Sequence, residues 1–376
     1  MKIFNSPYLV IVFFALLFTS CKNTLNINAP YKEVPTIYAV LNPQETLQMI
    51  RVNKIFLGEG DANAMAQVAD SINYQAGDLL ITLERFVNGV QVSATPTGNK
   101  QVITFRDSVI QTAPGAFNST QRVYVTSDRL FVTGQYVLKV KNVRNTDPNA
   151  TVFTARANAL DSVPSGYTLF TPPYYPVDLA TNPNPLDPNI FVDYSQPNVT
   201  YSPKFGFNEG AIYSMRVRLH FYDSLLDNSK IYRYVDYNFG NKYIKDLRTF
   251  SFVKMFAFDF KGKDFITGIA YSLSQMGLSN NIKGRKMYKL QAFAFSASQE
   301  YSDYLQFTAP SLSIAQEKPI YSNFDNRAAM GIFTFRTRHS VYKEMAAPFV
   351  SEFGINPIMC KYHFYTADLS SPNWCF

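Results

Sequence analysis

Apolar and polar residues alternate along this chain in short runs. The cleanest run is AIYSMRVRLHFYD, residues 211–223. Tyr213, Met215, Val217, Leu219 and Phe221 fall on one side of it, and Ser214, Arg216, Arg218, His220 and Tyr222 on the other. Such a period of two predicts a strand with one buried face, because successive side chains point to opposite sides of a sheet. IYRYVDYNFG has the same character and is expected to pair with it across the turn Asp227-Asn228-Ser229. Nearer the start, TIYAVL and TLQMIRVNKIFL flank a turn at Asn42-Pro43-Gln44-Glu45. DLLITLERF, VQVSAT, KQVITFR, RVYVT, YVLKVKNV and TVFTARANA follow as further short strands. In YVLKVKNV, Tyr136 and Leu138 face one way and Lys139 and Lys141 the other.

Helical spacing is rarer. DFITGIAYSLSQMG carries Phe265, Ile269, Leu273 and Met276 on one stripe, with Asp264 as expected N-cap and Gly277 as C′. SQEYSDYLQF reads as a short helix capped by Ser298 and stopped by Pro310, and the Ala-rich GDANAMAQVAD as one or two helical turns. RKMYKLQAFAFSAS and AMGIFTFRTRH return to strand. The expected fold is therefore mainly β: an immunoglobulin- or fibronectin-III-like sandwich over residues 36–164, then a sheet-dominated α+β domain over 210–376 with two short helices. Residues 165–209 are dense in proline and read as a linker or loop.

The first 20 residues have a different pattern. Lys2 precedes an apolar run from Tyr8 to Leu17, which ends in Phe18-Thr19-Ser20-Cys21. A spanning helix needs about 20 apolar residues, so this shorter run reads as a secretory signal. With small residues just before Cys21, the junction resembles a bacterial lipobox. That resemblance implies a diacylglycerol on the Cys21 thiol, cleavage before it and acylation of the new amine. Each buried methylene contributes about 0.8 kcal/mol, so two or three acyl chains anchor a protein durably. An ordinary secretory signal with a chance cysteine is the alternative. Residues 21–35, polar with Pro30 and Pro35, read as a tether.

Export changes how the other cysteines read. The chain has three, and an oxidising compartment favours a disulfide between Cys360 and Cys375. Closing the intervening 14 residues is worth about 3 kcal/mol on the chain-entropy model. Cys360-Lys361-Tyr362-His363 also has a ligand-like spacing for zinc, but no fourth ligand is evident, and no metal or cofactor is expected. Glu59 and Asp61 in GEGDAN are a candidate calcium turn lacking further oxygen ligands. Net charge is +7 without a Lys/Arg block; Arg216 and Arg218 are the nearest approach to a basic stripe. Nucleic acid is therefore not an expected partner, and the charge favours anionic surfaces.

APYKEVPTIYAVLNPQETLQMIRVNKIFLGEGDA, YSMRVRLHFYD and YLQFTAPSLSIAQEKPIYSNFDNRAAMGIFTFRT resemble blocks of a Bacteroidota outer-membrane lipoprotein family of unknown function, often encoded beside TonB-dependent receptors. The resemblance implies an outer-membrane location and a TonB-dependent transporter as partner; the tether leaves the membrane face open. Four Asp-Ser-aliphatic triplets place Ser71, Ser108, Ser162 and Ser224 in a pattern resembling the O-glycosylation sequon of exported proteins of that group. The competing reading is that Asp-Ser favours turns before strands.

No Gly-x-Ser-x-Gly elbow, His-Glu-x-x-His helix or phosphate-cradling glycine loop occurs. Catalysis is thus not expected. His220 is expected to be solvated or hydrogen-bonded on the polar strand face and His339 in a surface loop. In YTLFTPPYYP, Tyr167, Tyr174 and Tyr175 form either a ligand platform on a proline-stiffened loop or packing over the domain junction. The sequence points to a lipid-anchored envelope protein that binds a transporter, or alternatively a glycan or peptide on its own.

Overall fold

The computed structural model describes residues 34–55, 61–113, 115, 117–148, 150–160, 192–207, 209–244, 248–250, 253–276, 281–309 and 320–365. It is mainly β. The first part contains β1 (Pro35–Leu41), β2 (Gln48–Lys54), α1 (Ala62–Ala66), α2 (Ala69–Ile72), β3 (Leu79–Val87), β4 (Val90–Val92), β5 (Val102–Thr104), β6 (Arg106–Gln111), β7 (Thr120–Thr126), β8 (Gln135–Asn142) and β9 (Val152–Asn158). One sheet runs β1-β2-β7-β6 and another β4-β3-β8-β9, with β5 also on β3. Ile37, Ile50 and Val52 of the first sheet share a core with Ile81, Leu83, Leu138 and Phe153 of the second. Alternation produced this sandwich, since β1 and β3 bury every second residue.

Two details sharpen the expected pattern. KQVITFR was expected as one strand, but it changes sheets: β5 pairs with β3 and β6 with β7. The hinge is Phe105, which is buried and donates its N–H to Ile81 O at 3.0 Å. Tyr136, fully buried near the start of β8, accepts the Phe131 N–H at 2.8 Å. A tyrosine hydroxyl tied to backbone a few residues upstream is a corner device of immunoglobulin-like sandwiches. Burial pushes that phenol up to about 12.

The second part contains β10 (Thr200–Tyr201), β11 (Lys204–Phe207), β12 (Ile212–Leu225), β13 (Lys230–Tyr243), β14 (Arg248–Phe250), β15 (Val253–Ala257), β16 (Phe260–Lys261), α3 (Gly262–Gln275), β17 (Ile282–Ala297), α4 (Gln299–Thr308), β18 (Met330–Lys343), α5 (Ala347–Ile355) and β19 (Phe364–Tyr365). β13, β12, β17 and β18 lie side by side, and β18 continues into the first sheet. Its first half pairs in parallel with β1, from Thr36 opposite Met330 to Leu41 opposite Phe335. Its second half pairs antiparallel with β17. Phe324, Phe333 and Phe335 accordingly belong to the first core, far from it in sequence. The junction needs Gly331: at φ +106 a Cβ there would lie 2.1 Å from Ile37 O.

α3 lays Phe265, Ile266, Ile269 and Leu273 on the inner face of this sheet, against Met215, Val217, Leu219 and Phe221. Gly268 permits the close approach, since a Cβ there would come 2.1 Å from the Tyr237 ring. The helix starts at Gly262, so Asp264 lies in its first turn rather than capping it. The backbone supplies the cap: Gly262 N–H donates to Val199 O and Lys263 N–H to Pro197 O, at 3.2 and 3.0 Å. α4 spans the expected segment after Ser298. α5 is a third helix of this part, beyond the two expected; it buries Phe349 and Phe353, one turn apart.

Candidate functional site

The sheet β13-β12-β17-β18 has helix α3 on its inner face, and its other face gathers a cluster of chemically capable side chains. β12 contributes Arg216, Arg218, His220 and Tyr222. By register, Arg218 lies opposite Asp236 and Gln291, His220 opposite Tyr234, and Arg216 opposite Phe293. Phe293 and Phe295 sit opposite Ser340 and Arg338 of β18. The strand period of two thus brings R-x-R, Y-x-Y, F-x-F and R-x-R segments onto one face.

At one end, the nearly parallel rings of Phe293 and Phe295 (6.2 Å, 16°) form a floor. Guanidinium groups roof it: Arg216 lies 4.7 Å from the Phe293 ring centre, Arg218 5.2 Å, and Arg336 4.6 Å from Phe295. Arg338 completes the roof at 5.9 Å from Phe293. Such contacts hold the cations against the aromatic rings. Asp236 takes both Arg218 nitrogens, Nε at 2.7 Å and Nη2 at 2.9 Å, with Arg216 at 3.4 Å. Glu45 from the turn after β1 lies 3.3 Å from Arg338. Arg216 Nε is buried and makes no hydrogen bond. Burial lowers the Arg216 pKa; Asp236 opposes that, while Arg218, Arg336 and Arg338 add to it. Among the described residues, neither Arg336 nor Lys289 forms an ion pair.

The other end is tyrosine-rich. Tyr232, Tyr234, Tyr288 and Tyr342 are each about half exposed, between 47% and 53%. Lys289 Nζ sits 4.5 Å from both the Tyr288 and Tyr342 rings. Arg218 bridges the two ends, 3.8 Å from the Tyr234 ring. His220 was expected as a solvated or hydrogen-bonded surface residue; it is hydrogen-bonded, but only 3% exposed. Tyr232 stacks on it at 5.7 Å, and Tyr342 and Tyr234 close around it at 5.8 and 6.4 Å. Nε2 is 3.2 Å from Gln291 Oε1, and Nδ1 meets the Tyr232 hydroxyl. The Gln291 contact assigns the ring proton to Nε2, leaving Nδ1 to accept. Burial, chiefly, holds its pKa below the usual imidazole value.

Other anticipated residues lie elsewhere. Cys21, Ser162, Tyr167, Tyr174, Tyr175, Cys375 and Glu59 fall outside the described residues. Cys360 opens a 3₁₀ turn, with its sulfur 3.1 Å from Asn356 O. Asp61 caps α1 by accepting the Asn63 N–H at 2.7 Å. Ser71 is half-buried in α2, and Ser108 half-buried on the edge strand β6. Ser224 is 3% exposed on β12 and lies 3.3 Å from the Tyr365 hydroxyl, so the folded chain leaves no room for a glycan on it. None of these three Asp-Ser pairs forms a turn: one is helical and two are in strands. His339 lies within β18, not in a loop. Among the described residues, no group of three or more His, Cys, Asp or Glu side chains converges as a metal site.

No protein-family model matches the chain, and no curated protein is significantly similar to it. The open face is therefore read from its own geometry. It has side chains for binding anions and rings, all mounted on paired strands. Arg216 and Arg218 were legible as a pair in the sequence; Phe293, Phe295, Arg336, Arg338, Tyr232, Tyr234 and Tyr342 were not singled out. The doublets with one intervening residue were the available signal.

Proposed function

We propose that the chain is a lipid-anchored cell-envelope protein of the outer membrane that binds rather than transforms its partner, serving a TonB-dependent transporter. One observation carries this reading: Thr19-Ser20-Cys21 stands directly after an apolar run too short to span a bilayer. The family resemblance supplies the transporter. Labelled palmitate is expected to enter the wild-type chain and not Cys21→Ser, with the variant leaving the membrane fraction. Failure of incorporation in wild type, or an unchanged variant, overturns the anchor.

The second reading, a stand-alone glycan- or peptide-binding surface lipoprotein, is favoured by the open face of half-exposed tyrosines beside arginines. In either case the exported chain would carry a Cys360–Cys375 disulfide, since acylation of Cys21 leaves these as its remaining cysteines. Ser71, Ser108 and Ser162 are the glycan acceptors that this reading retains, and the Tyr167, Tyr174 and Tyr175 loop is a further ligand platform.

A further inference from the structure

We propose that the open face of β13-β12-β17-β18 binds a linear acidic polysaccharide, its carboxylates on Arg216, Arg218, Arg336 and Arg338 and its sugar rings on Tyr232, Tyr234 and Tyr342. This rests on the binding-protein reading above and names the ligand class.

Shape comes first. From Arg216 to Tyr222 the strand spans about 20 Å, and the four strands add about 15 Å across. Two cavities among the described residues lie elsewhere, one around Phe86 and Gly134 and the other around Tyr38 and Phe117. The face is a track for an extended ligand rather than a pocket for a small one. Its central strands β12 and β17 are paired on both sides, so a partner meets side chains only; a peptide adding by its backbone needs a sheet edge.

Charge comes second. Four arginines and Lys289 face Asp236, Glu45 and, beside Lys289, Glu344, which leaves a small cationic surplus. The Arg216 and Arg336 guanidinium groups sit 4.7 and 4.6 Å from the Phe293 and Phe295 ring centres. A planar fork matches a carboxylate in two-point contact. The surplus is modest and interrupted by acids, which suits a polymer with one charge per sugar better than a phosphate backbone. The Phe rings are 5% and 8% exposed beneath their cations and offer no stacking surface for nucleobases. The rings that are open are tyrosines, amphipathic and suited to the apolar face of a pyranose.

The test is affinity electrophoresis of the full-length, acylated protein in detergent, through gels containing polygalacturonate or neutral dextran. Retardation by polygalacturonate alone, weakening as salt rises, is the expected result. The Arg216→Gln/Arg338→Gln double variant should lose at least tenfold in apparent affinity, and Tyr342→Ala several-fold. Lys141→Ala, on the first sandwich, should match wild type. Should the double variant misfold by circular dichroism, Lys289→Gln and Tyr342→Ala carry the test. Absence of retardation, or equal retardation by dextran, overturns the proposal. So does tighter binding to poly-glutamate, single-stranded DNA or phosphatidylglycerol vesicles than to polygalacturonate. Cys21→Ser separates the two readings: it should leave the membrane yet keep polygalacturonate retardation. Failed acylation would sink the anchor alone, and failed retardation in an acylated chain the ligand alone.

Discussion

The two faces of the sheet β13-β12-β17-β18 are both rich in aromatic rings and use them in opposite ways. On the inner face, Phe221 meets Phe364 and Tyr237 meets Phe265 edge to face, at 5.5 and 5.1 Å, sealed by helix α3. On the outer face, Phe293 and Phe295 are covered by guanidinium groups. Hydrocarbon lids contribute through area removed from water, about 25 cal/mol per Å². A solvated cation over a ring contributes only about 0.5–1 kcal/mol. One period of two therefore yields a face that holds the fold together and a face that the fold can spare for a ligand.

The widest test of this contrast pairs one truncation from each side. Phe265→Ala on the inner side should lower unfolding free energy by about 3–5 kcal/mol. Arg218→Ala on the outer side loses a half-buried ion pair with Asp236 and a ring contact, and should lower it by about 1 kcal/mol. Urea titration of both variants measures the difference. Equal losses would mean the open face is a second core.

The inner face also has a charged exception to its apolar rule, and it sharpens the comparison. Asp223 continues the inward series after Phe221, and it is buried with Arg285, Nε to Oδ1 at 2.8 Å. Arg233 approaches the other oxygen at 3.4 Å. Arg285 also reaches Tyr362 O at 3.3 Å, tying the turn after α5 to β17. Asp223→Asn leaves a guanidinium buried without its counter-charge and should cost about 3–5 kcal/mol. Replacing both partners with Met and Leu should restore much of that loss, because the pair's own desolvation then disappears. If the single variant melts like wild type, the pair is solvated and the exception is only apparent.

How much of this was written locally differs from strand to strand. The two faces of β12 were readable because alternation is a property of neighbouring residues. The neighbours of β12 were not, because Arg216 and Arg336 meet across residues that no short window spans. β18 hid its double role for the same reason. Ile332, Phe333, Thr334 and Phe335 are all buried, so the strand's first half reads as an apolar run with no sidedness. α5 escaped notice because two phenylalanines and a proline are a thin helical signal. The β-bulge at His220 and Phe221, which shifts register against Lys289 and Met287, has no marker in composition at all.

His220 gives the smallest and most specific test, because it is the one titrating group of the open face whose charge changes near neutral pH. It is neutral in the fold, with Nε2–H given to Gln291 and Nδ1 filled by the Tyr232 hydroxyl. Burial depresses its pKa most; Arg218 and Lys289 push the same way, while the Gln291 bond and Asp236 oppose them. The unfolded chain, with an ordinary imidazole pKa of about 6.5, therefore takes up the proton first as pH falls. Stability from this group is complete above about pH 6.5 and is lost as pH drops through the interval down to the folded value. His220→Gln cannot charge, so its melting temperature should fall less than wild type between pH 7 and pH 5. Parallel slopes would show that imidazolium is tolerated in the fold, with the tyrosine cage open to water. The boundary between a sealed inner face and a working outer one would then run inside His220 instead of through it.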